Sequence, residues 1–247
     1  MGKKYIDTYK RTDKNMQVEK RYLKEGMTNR SGQKQVPEYI VIHETSTGFG
    51  RSPKNYNMEH YEKMLYKRAE ENKTTVSYHF LCGDKAVWQF LPEDEATDHT
   101  GTREGNHNSI GIERVICKGV NYAEALHNQA KLAATLMKKW NIPIENVKPH
   151  RAMQWLYTPE REDKTACPSR LLNDWYGGWE RFILEIERCI KYNWYFDELL
   201  NEKKKSEISK FKQDLIVTKE ESKKILEECK QNSKLVKEQK EEYINQR

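Results

Sequence analysis

The stretch YIVIHETS, residues 39–46, decides the fold. Tyr39, Ile40, Val41 and Ile42 form a short apolar, largely β-branched run that passes straight into His43 and then into polar residues. Such a run fits a buried strand, and it leaves His43 at the strand's carboxyl end, where a rigid sheet can present a side chain. Outward from it, Met58 to Asn72 carries Tyr61, Met64, Leu65 and Arg68 at helical spacing. TTVSYHFLC (74–82) and AVWQFLP (86–92) are strand-like runs joined at Gly83-Asp84-Lys85, as in a hairpin. NSIGIERVI (108–116) is a further strand. YAEALHNQAKLAATLMKKWN (122–141) is an amphipathic helix with Ala125, Leu132, Leu136 and Trp140 near one stripe and Pro143 beyond its end. VKPH (147–150) is a short extended run ending on His150, followed by a long loop, residues 151–166, that leads to Cys167. Residues 179–200 return to helical periodicity. Strands alternating with helices predict an α/β fold, a single domain with a central mixed β-sheet flanked by helices.

Composition limits how far that domain extends. Of 247 residues, 36% are hydrophobic and 33% charged, too polar on average for one compact globule, so the core is concentrated in part of the chain. Residues 1–35 form a polar, basic segment with a turn signal at NRSGQK (29–34), residues 36–190 the domain, and residues 191–247 a charged helical extension. From Asn201 onward there is no Gly, Pro or Trp. Ile208, Phe211, Leu215, Ile225, Cys229, Val236 and Tyr243 keep a seven-residue register there, interrupted by Thr218, Ser222, Asn232 and Gln239. That pattern reads either as a coiled-coil helix for self-association or docking on a partner, or as an extended solvated helix.

The formal charge of +6 suits an anionic polymer, but no nucleic-acid-binding motif accompanies it. No apolar stretch approaches membrane-spanning length, and the start MGKKYIDTYKRTDK lacks the apolar run of a signal peptide. Five cysteines at wide, irregular spacing with no CxxC pair are not a disulfide framework. The expectation is a protein made in a reducing cytoplasm. Among seven histidines and five cysteines, His43 at a strand end, His150 after the extended run and Cys167 on the following loop are candidate metal donors. Taken singly, each also reads as an ordinary surface or core group, and spacing alone does not license a metal site.

The order of the fragments decides more. YIVIHETS, VSYHFLCGDKAVWQFLPEDEATDHTG, GNHNSIGIE, PHR and KTACPS follow one another between Val36 and Glu187. The series closely resembles the zinc-dependent N-acetylmuramoyl-L-alanine amidases of the type-2 amidase family, which includes bacteriophage lysins, wall-recycling amidases and peptidoglycan recognition proteins. Position by position, the resemblance implies Zn2+ held by His43, His150 and Cys167, with one position left for water. It implies hydrolysis of the amide between N-acetylmuramic acid and L-alanine in bacterial peptidoglycan, with Glu113 of SIGIE as general base and Tyr78 of YHF orienting the water or the oxyanion. The family's lysine two residues before the third ligand is replaced here by Thr165, with Lys164 one residue earlier; Thr165 is the first choice for the oxyanion and Lys164 the second. His99 of DHTG matches a family histidine near the site, so a substrate-side role is expected, and Trp155 and Tyr157 are read either as glycan or peptide contacts or as loop packing. His79, alternating with Tyr78, is expected to face away and be structural, with His60, His107 and His127 as ordinary loop or helix groups.

Two rivals accompany this reading. A thiol hydrolase with Cys167 as nucleophile can cut the same polymer. A recognition protein of the same fold can bind peptidoglycan without cutting it, as a catalytically weak wall-binding or virion structural protein. The absence of a signal peptide together with a wall-cutting site points to a bacteriophage lysin made in the host cytoplasm and acting on the wall. The charged tail, in place of a wall-binding β-module, raises the expectation of a virion-associated form docked on a phage structural protein.

Overall fold

The computed structural model describes residues 17–45, 56–71, 74–173 and 177–202, with scattered positions between 205 and 227. It divides the chain into two units, Met1–Leu200 and Asn201–Arg247.

The first unit is built on a six-stranded sheet in the order β1-β4-β3-β5-β2-β6. The strands are β1 (Val18–Lys20), β2 (Tyr39–Glu44), β3 (Phe80–Cys82), β4 (Val87–Gln89), β5 (Ser109–Arg114) and β6 (Val147–Pro149). Only the β3–β4 hairpin is antiparallel; every other neighbouring pair is parallel, so the sheet is mixed. Helices α1 (Met58–Glu70), α2 (Arg103–His107), α3 (Tyr122–Trp140), α4 (His150–Tyr157), α5 (Ser169–Leu172) and α6 (Gly178–Lys191) complete it.

Local chemistry sets the helix ends. The Asn57 side chain caps α1 by accepting the His60 N–H, and Asn121 caps α3 through the Glu124 N–H; such caps contribute about 1 kcal/mol each. Asn141 closes α3 in the left-handed conformation (φ 56°), and Pro143 follows. Two apolar layers flank the sheet. Ile40, Ile42, Phe80, Ile110 and Ile112 pack with Leu132, Leu136, Phe182 and Ile186 from α3 and α6. Leu81, Trp88 and Phe90 pack on the opposite face with Leu65 of α1 and with Leu23.

Four features differ from the sequence-based expectation. Residues from 17 onward are part of the sheet unit rather than a leading segment: β1 pairs with β4, Leu23 is fully buried, and the Arg21 guanidinium lies 3.6 Å from the Trp88 ring centroid. Polar partners hide this stretch from a hydropathy reading, as when Arg30 pairs with Glu95 at 3.0 Å. Half of the expected 151–166 loop is helix α4, whose one-sided pattern is only two turns long. The helix expected over residues 179–200 stops at Lys191, where Asn193 takes a positive φ of 54°. The chain beyond it stays in the core, because Phe196 and Leu199 are buried.

In the second unit the described positions between 201 and 227 are helical and, apart from the half-buried Glu202, exposed. The heptad positions read from Ile208 to Tyr243 lie outside the described residues. No helix among the described residues is long and apolar enough to cross a membrane.

Candidate active site

The parallel strands β5, β2 and β6 end side by side, the place where open α/β sheets present ligands. His43 stands opposite Glu113 in the β2–β5 register, and β6 runs through Pro149, opposite Ile42, directly into His150. Alternation puts His43, Gly111 and Glu113 on one face, while Ile42 and Ile112 pack toward α3. Gln129 of α3 holds the strand ends, its side-chain amide donating to the carbonyls of His43 (3.1 Å) and Ile112 (2.9 Å).

Cys167 arrives on the loop after α4. The Arg151 N–H donates to the Cys167 carbonyl at 3.0 Å, which ties that loop to the first turn of α4 beside His150. The Cys167 N–H donates to Thr165 Oγ1 at 3.2 Å. Donor atoms of His43, His150 and Cys167 thereby lie within 4.8 Å of one another, although the residues are far apart in sequence.

Carbonyl groups at two ends fix the imidazole tautomers, since a carbonyl can only accept. His150 Nε2 donates to the Thr100 carbonyl at 2.9 Å, which leaves the Nδ1 lone pair. Ser109 Oγ donates to the Gly105 carbonyl at 2.5 Å and accepts from His99 Nε2 at 3.2 Å. His99 Nδ1 is then an acceptor and takes the His43 Nε2–H at 2.9 Å. His43 Nδ1 is left with its lone pair, 3.8 Å from Cys167 Sγ. Asn106 steadies the loop that supplies both parts, its Oδ1 accepting from the N–H groups of His99 (3.0 Å) and Thr100 (2.8 Å).

Sequence reasoning missed Ser109, Asn106 and Gln129 because their roles depend on side chains meeting backbone from other elements. His99 lines the groove beside the donors, and with both its ring nitrogens engaged it orients His43. Gly111 leaves room for it: a Cβ there would lie 2.8 Å from His99 Nδ1. Gly111→Ala is expected to push the ring off His43, costing roughly 1–3 kcal/mol of stability and weakening metal binding. Thermal unfolding and zinc titration measure both, and wild-type values in each would refute this packing.

Burial governs the electrostatics. It pushes His43 well below the usual histidine range, helped by His150 and His99, and lowers His99 and His150 as well. It raises the Cys167 thiol well above its ordinary value, with Glu113 adding to the shift. The Glu113 carboxyl is raised to about 8, by burial first and by Glu44 second. Two neutral imidazoles and a thiol that ionises on binding are the donor chemistry of a zinc centre. Glu113 Oε2 and the Tyr78 hydroxyl are both buried with no hydrogen-bond partner among the described residues, and burial, with Glu113 adding to it, raises the Tyr78 hydroxyl well above its ordinary value. Tyr78 packs edge-on against Phe90 at 5.6 Å.

His79 is structural: Nε2 donates to the Glu95 carbonyl at 2.9 Å and Nδ1 accepts the Gly111 N–H at 3.0 Å. A bend at His79 interrupts the strand just before β3, so simple alternation does not describe it. Burial lowers its pKa from 6.5 to about 4. The unfolded chain therefore takes up this proton first as pH falls, and the folded chain does so only near pH 4. Metal-free protein is expected to lose about 3 kcal/mol from His79 alone between pH 6.5 and about 4. Urea unfolding across that range tests this, and a flat profile would contradict it.

The remaining candidates separate clearly. A groove of about 670 Å³ is lined by Asp98, His99, Arg103, His150, Arg161 and Thr165. Thr165 is therefore on the groove, while Lys164 is not: its ammonium is held by the Thr158 carbonyl (2.7 Å) and the Arg161 carbonyl and sits over the Trp155 ring. Trp155 is 55% exposed on α4, outside the groove lining, and Tyr157 packs on Tyr39 and receives a hydrogen bond from Asn108. His60 stacks on Tyr56, and His107 borders the groove. His127 is buried and packs between helices. It meets Glu185 at 2.7 Å, near Cys189, and Arg188 takes the other carboxylate oxygen, which closes that group as a tie between α3 and α6.

Fold and donor set together define an α/β domain with three side chains that could hold a metal ion gathered at the carboxyl edge of its sheet. The chain belongs to the N-acetylmuramoyl-L-alanine amidase family, whose model matches residues 33–170. It is similar to the N-acetylmuramoyl-L-alanine amidase CwlH of Bacillus subtilis (strain 168), 32% identical over 164 residues, covering 64% of this chain and 58% of the relative. It is also similar to the amidase XlyA of the same organism, 34% identical over 160 residues, covering 62% and 47%. The chain thus spans about half the length of the curated relatives it matches. The solved catalytic domain of XlyA superposes with a TM-score of 0.56 at 28% identity, covering 69% of this chain and 99% of that domain. A mutant endolysin from Bacillus subtilis gives 0.53 at 29% identity, covering 69% and 99%.

Proposed function

We propose that this chain hydrolyses the amide bond between N-acetylmuramic acid and L-alanine in bacterial peptidoglycan, using zinc held by His43, His150 and Cys167. The observation that carries this reading is the convergence of those three donors, with tautomers set to offer Nδ1 from each histidine, next to a groove and a Glu113 whose Oε2 has no partner among the described residues. When bound, zinc supplies a Lewis acid that lowers the pKa of a water toward about 7 and polarises a carbonyl.

The chain's own groups do the rest. Glu113 takes the proton from the attacking water at its buried carboxylate oxygen and returns it to the leaving amine of L-alanine. Thr165, whose Oγ1 already accepts from the Cys167 N–H, retains its own hydroxyl proton to donate to the developing oxyanion. The Tyr78 hydroxyl, within the field of Glu113, orients the water.

Mass spectrometry of digested peptidoglycan tests the reaction directly. New free N-terminal L-alanine with intact glycan chains is the expected product, and cleavage within the glycan or the stem peptide would exclude it. Likeness to a solved endolysin supports a phage lysin acting on the host wall. Docking of a virion-associated form through the helical residues beyond 201 is the second reading; detection of the chain in purified particles by immunoblot supports it, and its confinement to the lysate removes it.

A further inference from the structure

Glu44 follows His43 on β2 and points to the opposite face of the sheet, into the layer beneath α3. Its side chain is 1% exposed there, together with Arg114 at 0% and Arg170 at 3%. Glu44 Oε1 accepts from Arg114 Nη2 and from the Tyr122 hydroxyl at 3.0 Å. Its Oε2 accepts the backbone N–H of Arg170 at 3.0 Å, with the Arg170 guanidinium 4.0 Å away. The backbone N–H of Glu44 itself meets Cys167 Sγ at 3.4 Å.

Burying such a charged group is expensive, and apolar residues of similar volume commonly stabilise a core as well or better. Stability is therefore a weak reason for this carboxylate. What an apolar residue cannot do is accept the N–H of Arg170, three residues beyond Cys167. That bond joins the end of β2, which carries His43, to the segment that carries Cys167, on the side of the sheet away from the groove. The Arg151 N–H to Cys167 carbonyl bond makes the corresponding link to His150. The two links hold the Cys167 segment from both sides.

We propose that Glu44 is a positioning residue for the metal centre, fixing Cys167 Sγ against His43 by clamping the chain after it to the end of β2. This rests on the reading of His43, His150 and Cys167 as a metal site. Glu44 contacts neither substrate nor reacting atoms.

Cobalt(II) titration of metal-free protein tests the proposal, because thiolate-to-cobalt charge-transfer absorption reports Cys167 in the coordination sphere. Glu44→Gln leaves one acceptor oxygen for the same donors. It is expected to retain the far-UV circular dichroism of the fold, bind cobalt roughly 10–100-fold more weakly, and lose charge-transfer intensity. Tyr122→Phe removes a bond to the same carboxylate but keeps the Arg170 link, and is expected to match wild type in both readouts. Glu44→Asp keeps the charge but is a methylene short of spanning Arg114 and Arg170, so it carries the same expectation where the glutamine variant fails to fold. Wild-type affinity and absorption in the Glu44 variants, or an equal loss in Tyr122→Phe, would overturn the clamp while leaving the metal site intact. Absence of cobalt binding by the wild-type chain would remove the metal reading itself and the clamp with it.

Discussion

Cys167→Ser is expected to strip the chain of zinc and to lower peptidoglycan hydrolysis by more than about 10²-fold, beyond what changes in outer-shell partners cost. A serine hydroxyl keeps the size of the side chain but ionises far less readily than a thiol, so it cannot replace the anionic donor of the centre. The fold should survive, since the backbone bonds of Cys167 to Arg151 and Thr165 do not use the sulfur. Metal content by elemental analysis, read beside activity, separates this from the thiol-nucleophile alternative. If wild-type activity persists after complete chelation and vanishes only in Cys167→Ser, Cys167 is the nucleophile and the zinc reading fails.

Glu113→Gln is expected to lower turnover by roughly 10²–10⁴-fold without changing zinc content, because Glu113 is not among the converging donors. The glutamine preserves shape and removes the exchangeable proton site. The pH profile gives an independent sign. In the metal-free chain the carboxyl is raised to about 8 and holds its proton at neutral pH. A cation nearby favours the ionised form and brings that value down. Activity that needs the carboxylate is therefore lost as pH falls through a midpoint below about 8 and recovered as pH rises. The variant should lack that limb; an unchanged acid limb in Glu113→Gln would assign the titration to another group.

Much of the domain was legible because its long elements are strongly patterned. The strand ending at His43, the strand carrying Glu113 and the helix over residues 122–141 all appear where their apolar spacing places them. Short elements escaped: β1 has three residues and α4 two turns, too little length for a period to stand out. Lys164 illustrates a different limit. Its place in sequence, next to the residue that aligns with the family's lysine, made it a candidate, but the Thr158 and Arg161 carbonyls and the Trp155 ring capture its ammonium. Such capture depends on how a loop folds back on itself, which sequence spacing does not encode.

The sequence by itself determined the alternation of strands and helices, the strand-end position of His43 and the family to which the ordered motifs point. Those are local properties: apolar period, turn residues and motif order are written along the chain. Tertiary structure alone decided that Nδ1 is the free nitrogen of both His43 and His150, that His99 orients His43, and that Glu44 joins β2 to the segment after Cys167. Each of these depends on which carbonyl or carboxylate meets a given donor across the folded sheet. Hydrogen bonds act over about 3 Å, and residues more than a hundred positions apart come within that range only when the fold has formed.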